Sequence, residues 1–316
     1  MPLRSSLLVA ASLVVAAPVI AKTKVVATNA ALAALARDVG GPDVDVVALL
    51  EPHEDAHTAT PRPAMAAALQ QADLLIEVGL GLEAGWLPQV KAQAKNAKLA
   101  PGGRGVLDAS TLVEPLEVPV PGGPAAGNHP AGNPHYLADP ARAAKVAKGI
   151  AERLAALDAP AAQKARERAA FLAGKLEERA RTARAELSRK VPAERRRVAT
   201  YHASFAYLAA ALGVEQVVTI EATPGAAVDA AVDLAQRAAQ TAAQNAAAVE
   251  RIKKSGATAL VVDESMPRKQ ARALAKAAGV RLAVLPGGPR LGVGDTFLTY
   301  VDRTVSEVYA GVAQDP

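Results

Sequence analysis

The chain has 316 residues, of which 51% are hydrophobic, 21% charged and 3% aromatic, with a net charge of +5 and no cysteine. This balance suits a globular protein of two or three domains and excludes a disordered polyelectrolyte or a collagen-like repeat. The lack of cysteine removes disulfides, thiolate metal ligands, a cysteine nucleophile and a lipid-bearing amino-terminal cysteine, and the scarcity of aromatics argues against a stacking platform for nucleic acid.

The first informative segment is Arg4, followed by the apolar run from Leu7 to Val19 and the approach Val19-Ile20-Ala21. It has the form of a secretory signal cleaved after Ala21. As a membrane span the run is too short for a hydrocarbon core of about 30 Å, and no second hydrophobic stretch of about 18 residues follows. The mature chain is therefore expected in an exported compartment, most simply a periplasm.

From Lys22 onward, short β-branched runs alternate with longer alanine-rich segments, which predicts an α/β fold. Strands are expected at Val25 to Ala27, Val44 to Leu49, Leu74 to Ile76, Val198 to Thr200, Val217 to Ile220, Ala259 to Val262 and Leu282 to Val284. They fall into two clusters, which predicts an amino-terminal lobe over 22–158 and a carboxy-terminal lobe over 192–316. The stretch Val113 to Gly132, rich in Pro and Gly, is expected to be unstructured.

Two helices lie between the clusters. The first is predicted from Asp139 to Leu157, with Asp139 as cap and Pro140 in the first turn. The second runs from Pro160 to Lys190, with Leu172, Leu176, Ala180, Ala183 and Leu187 along one stripe. At 1.5 Å per residue it makes a rod of about 45 Å, a stiff strut over 159–191. Much of the positive charge falls between Arg142 and Arg197, interleaved with glutamates such as Glu177 with Arg181 and Glu186 with Lys190 at i,i+4. That pattern is the solvated face of a helix and not a polyanion site.

Only five histidines occur in the chain. His53 and His57 follow a predicted strand, His129 and His135 precede the Asp139 helix, and His202 follows the strand ending at Thr200. Ligands in open α/β sheets bind beyond the carboxyl ends of strands. A single histidine in such a place is an ordinary surface residue, but their joint placement is informative.

The stretch Leu49 to Leu82 contains Asp55-Ala56-His57, Pro61-Arg62-Pro63 and Ala72-Asp73-Leu74, and runs on into Gly79-Leu80-Gly81-Leu82-Glu83. Together with Gly132-Asn133-Pro134-His135-Tyr136, Tyr201-His202-Ala203-Ser204-Phe205 and Leu291-Gly292 before Asp295-Thr296-Phe297, it resembles the metal-binding solute-binding proteins of zinc and manganese ABC importers. The matches run in order through the whole mature chain. The resemblance implies two α/β lobes joined by a long rigid backbone helix, with one metal ion in the cleft between them. It also implies that His57 and His135 from the first lobe and His202 and Asp295 from the second are the ligands. Three imidazoles and a carboxylate suit Zn(II) without sulfur. On the residues alone Asp295 reads instead as the N-cap of an amphipathic helix bearing Leu298, Val301, Val305, Val308 and Val312, and it is the family resemblance that reverses this.

Several features depart from the family pattern. Many zinc-binding relatives carry a His- and acid-rich run before the second ligand, where this chain has His129 alone. Ala226 to Ala248, rich in Ala and Gln, does not align with family elements. His53 and Glu54 read as an exposed loop pair or a weak second site, and Glu221, Asp229 and Glu264 are acids without an assigned role. Capture of Zn(II), the transported ligand, and delivery to an ABC membrane permease is the function implied, with a periplasmic metallochaperone as an open second partner, no nucleic acid, and a monomer as the expected state. The alternatives are a manganese-binding homologue, a His-ligated zinc hydrolase and an adhesin. The hydrolase needs an open coordination position and usually a general base, whereas a fourth protein ligand is implied here, and neither a His-Glu-x-x-His helix nor a Gly-x-Ser-x-Gly elbow occurs. No enzyme is expected.

Overall fold

A computed structural model of the chain describes residues 22–119, 129–157, 162–220 and 234–313. The expected signal segment lies outside the described residues, as do Glu221 and Asp229. Among the described residues no helix is long and apolar enough to cross a membrane.

The first lobe runs β1 (Thr23–Ala27), α1 (Ala30–Gly40), β2 (Val44–Ala48), α2 (Pro63–Gln71), β3 (Leu74–Glu77), α3 (Leu87–Ala94) and β4 (Val106–Asp108). The helix α4 (Pro140–Leu157) leads to the long helix α5 (Ala162–Lys190), and the second lobe follows. It comprises β5 (Arg197–Thr200), α6 (Ala206–Leu212), β6 (Glu215–Thr219), α7 (Leu234–Ser255), β7 (Ala259–Asp263), α8 (Arg268–Ala278), β8 (Arg281–Leu285) and α9 (Phe297–Ala313). Each lobe holds a four-stranded parallel sheet, in the orders β2-β1-β3-β4 and β6-β5-β7-β8. All seven strands expected from the sequence are present. The eighth, β4, is three residues long and carries no alternation that would announce it.

Helices cover both faces of each sheet, so the central strands are apolar throughout, as Val25, Val26 and Ala27 in β1 and Leu74, Leu75 and Ile76 in β3 show. Alanine lets α1 approach closely, with Leu32, Ala33, Ala34, Leu35 and Ala36 fully buried. Asn29 caps it by accepting the Leu32 N–H at 2.9 Å. Asp139 caps α4 by accepting the Ala141 N–H at 2.8 Å, and the same carboxylate pairs with Arg142.

The helix α5 crosses from one core to the other. Ala165, Ala169, Leu172, Ala173 and Leu176 pack into the first lobe's core, while Ala183 and Leu187 pack into the second. Burying each leucine is worth about 1.5–3 kcal/mol. A second bridge has no counterpart in the sequence expectations: α9 sends Phe297 and Val301 into the first core and Val308 and Val312 into the second. Arg179 of α5 and Asp302 of α9 pair at 2.8 Å beside this double strut.

The described flanks of the segment expected to be unstructured are tied into the fold. Asn133 N–H donates to the Leu116 carbonyl at 2.9 Å, and Leu116 N–H donates to the Tyr207 hydroxyl at 2.7 Å. The apolar residues Val113 and Leu116 give the flanks of this Pro/Gly-rich stretch something to bury; its centre, 120–128, lies outside the described residues.

Candidate metal centre

The cleft between the lobes is lined by Glu51, Glu54, Asp55, His57 and His135 on one side and His202, Asp263 and Tyr300 on the other. Within it, His57, His135 and His202 each offer a ring nitrogen such that all three atoms lie within 4.8 Å of one another. Their ring centroids stand 5.0, 5.1 and 5.2 Å apart, and the Nε2 atoms of His135 and His202 are separated by 3.2 Å. Four nitrogens held about 2.0–2.1 Å from a tetrahedral zinc would be about 3.3–3.4 Å apart, so the observed spacing already approximates the edge of such a polyhedron.

The loop after β2 is built to aim His57. Asp55 Oδ1 accepts both the His57 backbone N–H at 2.9 Å and the ring Nδ1–H at 2.7 Å, and Asp55 Oδ2 accepts the Thr58 hydroxyl at 3.1 Å. Burial alone would raise the Asp55 carboxyl, but these bonds together hold it well below the usual carboxylate range. An ionised Asp55 makes Nδ1 the protonated nitrogen and leaves the Nε2 lone pair facing the cleft, the usual arrangement of a carboxylate behind a metal-ligating histidine. Trp86 Nε1–H donates to the Ala56 carbonyl at 2.9 Å and braces the same loop. The sequence pattern assigns Asp55 no role of its own, although its place two residues before His57 is the available signal.

His135 sits just ahead of α4. Its backbone N–H donates to Asn133 Oδ1 at 2.9 Å, and buried Asn133 reaches across the cleft to the Ala203 carbonyl at 2.9 Å. Asn133 thereby couples the His135 loop to the residue after His202. Burial pushes the His135 ring well below the usual histidine value, and neighbouring His202, His57 and His129 push the same way against a smaller pull from Asp55. A neutral imidazole needs no proton removed before it ligates. His202 projects from the end of β5, where the Tyr201 N–H still donates to the Val261 carbonyl at 3.1 Å.

The turn after β3 forms one wall. Leu80 has φ 53°, between Gly79 and Gly81 at 82°, a left-handed conformation that costs a non-glycine residue about 1–2 kcal/mol. Buried Glu83 holds the start of this turn by accepting the Val78 and Gly79 N–H groups at 2.7 and 3.1 Å and the Thr28 hydroxyl at 2.7 Å.

Asp295 does not join the cluster. Its Oδ2 accepts the Arg290 backbone N–H at 2.9 Å and an Arg303 N–H at 2.6 Å, and these bonds lower its carboxyl from the usual value. Nor does it cap α9. Thr296 does so, its hydroxyl accepting the Thr299 N–H at 3.2 Å. The physical reason is the guanidinium of Arg303, two helical turns on, which offers the carboxylate a partner at its own end of the lobe. Glu54 pairs with Arg62 and Glu264 with Arg290 at 3.3 Å, while His53 is exposed. His129, by contrast, lies beside the cluster, with Nε2 at 3.0 Å from His57 Nε2.

The family model described as ZnuA, zinc-uptake complex component A, periplasmic, matches residues 25–311. Among solved structures, a zinc-bound ZnuA deletion mutant is 22% identical, covering 94% of this chain and 100% of its own at a TM-score of 0.71. The periplasmic zinc-binding protein TroA from Treponema pallidum is 22% identical over 93% of this chain and 100% of its own, also at 0.71. A cadmium-bound periplasmic metal-binding protein from Candidatus Liberibacter asiaticus is 18% identical over 92% and 100%, again at 0.71. These likenesses establish the two-lobed fold, and the family is one of metal-binding uptake components, not enzymes. With the match running through both lobes and the strut that joins them, the chain belongs to the ZnuA family of periplasmic zinc-uptake components.

Proposed function

We propose that the protein captures Zn(II) in the periplasm through His57, His135 and His202 and delivers it to an ABC membrane permease. The observation that carries this reading is the meeting of three imidazole nitrogens, two from one lobe and one from the other, within 4.8 Å. An all-imidazole set favours zinc over manganese, which prefers oxygen ligands and stands lowest in the natural affinity order. Acids around the cleft, Glu51, Glu54, Asp55 and Asp263, favour approach of a cation. Asp295, implied as fourth ligand by the family resemblance, is engaged by Arg303 and has no part in this reading. Export follows from the amino-terminal segment, with the mature chain beginning at Lys22.

A direct competition tests the metal choice. At equal concentrations Zn(II) should displace Mn(II), and His202→Glu should narrow the gap by weakening zinc more than manganese. Isotherms for both metals on both proteins read it out, and an unchanged ratio would remove His202 from the ligand set.

A further inference from the structure

The geometry points to His129, not Asp295, as the fourth ligand of the ion held by His57, His135 and His202. This rests on the three-histidine reading above and completes it. His57 Nδ1 is committed as a donor to Asp55, so its Nε2 presents a lone pair, and the Nε2 of His129 stands 3.0 Å from that atom. The distance is close to the edge of about 3.3 Å between two imidazole nitrogens on one tetrahedral zinc. The ring centroids of His57 and His129 are 5.0 Å apart, the same as for His57 and His202.

His129 is partly buried, and its Nδ1 is enclosed without a hydrogen bond of normal geometry. The backbone acceptor facing its ring is Leu80, in the left-handed turn that walls the cleft. His129 and His135 stand farther apart, at 6.4 Å between centroids. The fourth corner is therefore approached from the His57 side and closes by a small inward movement of His129. A shift of Asp295 would instead have to break two hydrogen bonds, one of them a charged pair. A four-nitrogen shell leaves no open position for water, which suits capture and not hydrolysis.

The test uses the full mature chain with Zn(II) alone and with Co(II) as a spectroscopic probe. X-ray absorption of the zinc-loaded protein should count four imidazoles, and three in His129→Ala. Zinc affinity, measured against a competing chelator, should fall at least tenfold in His129→Ala, while Asp295→Asn stays within twofold of the parent. The Co(II) visible spectrum should be tetrahedral in the parent and change in His129→Ala only. Three imidazoles in the parent, or an affinity unmoved by His129→Ala, would overturn the assignment and leave the three-histidine site standing. Loss of affinity in Asp295→Asn with none in His129→Ala would hand the position to the carboxylate. Failure of the parent to bind zinc stoichiometrically would sink both readings.

Discussion

The two lobes share a sheet order and serve the site by different means. In the first lobe His57 and His135 stand on loops, away from any strand, and each is braced: His57 by Asp55 and the Trp86 bond to Ala56, His135 by Asn133. In the second lobe His202 comes directly from the end of β5, where the sheet itself aims it. Two acids of that lobe, Asp295 and Glu264, are taken up by Arg303 and Arg290. The difference teaches that a strand end presents a ligand through the ladder, whereas a loop needs carboxylate and amide braces to do the same work.

The comparison breaks most visibly at the ligands. His57→Ala, His135→Ala and His202→Ala should each weaken zinc by more than the roughly 10–100-fold that follows loss of an outer partner. Chelator competition reads it, and a histidine whose removal leaves tight binding is no ligand, whichever lobe carries it.

Next comes the brace. Asp55→Ala should cost about 10–100-fold in zinc affinity at unchanged stoichiometry, because His57 loses both its tautomer and its orientation. Affinity within twofold of the parent would mean that the loop holds His57 without its carboxylate.

Acid sharpens the contrast in burial. The folded protein holds His135 and His129 below the ordinary histidine pKa of about 6.5. Below that pH the unfolded chain takes up protons that the folded chain refuses, so the metal-free protein loses stability as pH falls from about 6.5 toward the depressed folded values. The slope is at most about 1.4 kcal/mol per pH unit for each such histidine. Urea denaturation at pH 7.5, 6.5 and 5.5 should show the loss, and His135→Gln should flatten it. A parent equally stable at all three values contradicts the burial of neutral imidazoles.

The smallest effect concerns the strut. With both α5 and α9 packed into the two cores, scattering profiles with and without zinc should nearly superimpose. A change in radius of gyration of several ångströms would show that the lobes hinge.

Much of this architecture is legible in the linear chain. Strand runs such as Leu74 to Ile76, the stripe along α5 and the Asp139-Pro140 helix start are local signals, because burial on both faces of a parallel sheet and helix capping leave marks on adjacent residues. The three clustered histidines are legible through the family motifs. Asp295 is not: its fate depends on Arg303, eight positions away on a helix whose neighbouring Thr296 does the capping. His129 stands alone in a Pro/Gly-rich stretch, and nothing local says that this stretch returns to the cleft.

The sequence by itself determined the fold class, the order of the elements and the histidine chemistry, since hydrophobic period, cap residues and side-chain donor type are carried by single residues and their near neighbours. The tertiary structure alone decided that α9 is a second bridge, that Asn133 ties the His135 loop to Ala203, and that His129 approaches His57 while Asp295 turns away. Each of these depends on distances between segments tens to hundreds of residues apart, or on competition between partners for one side chain, and neither has a period that a linear pattern can record.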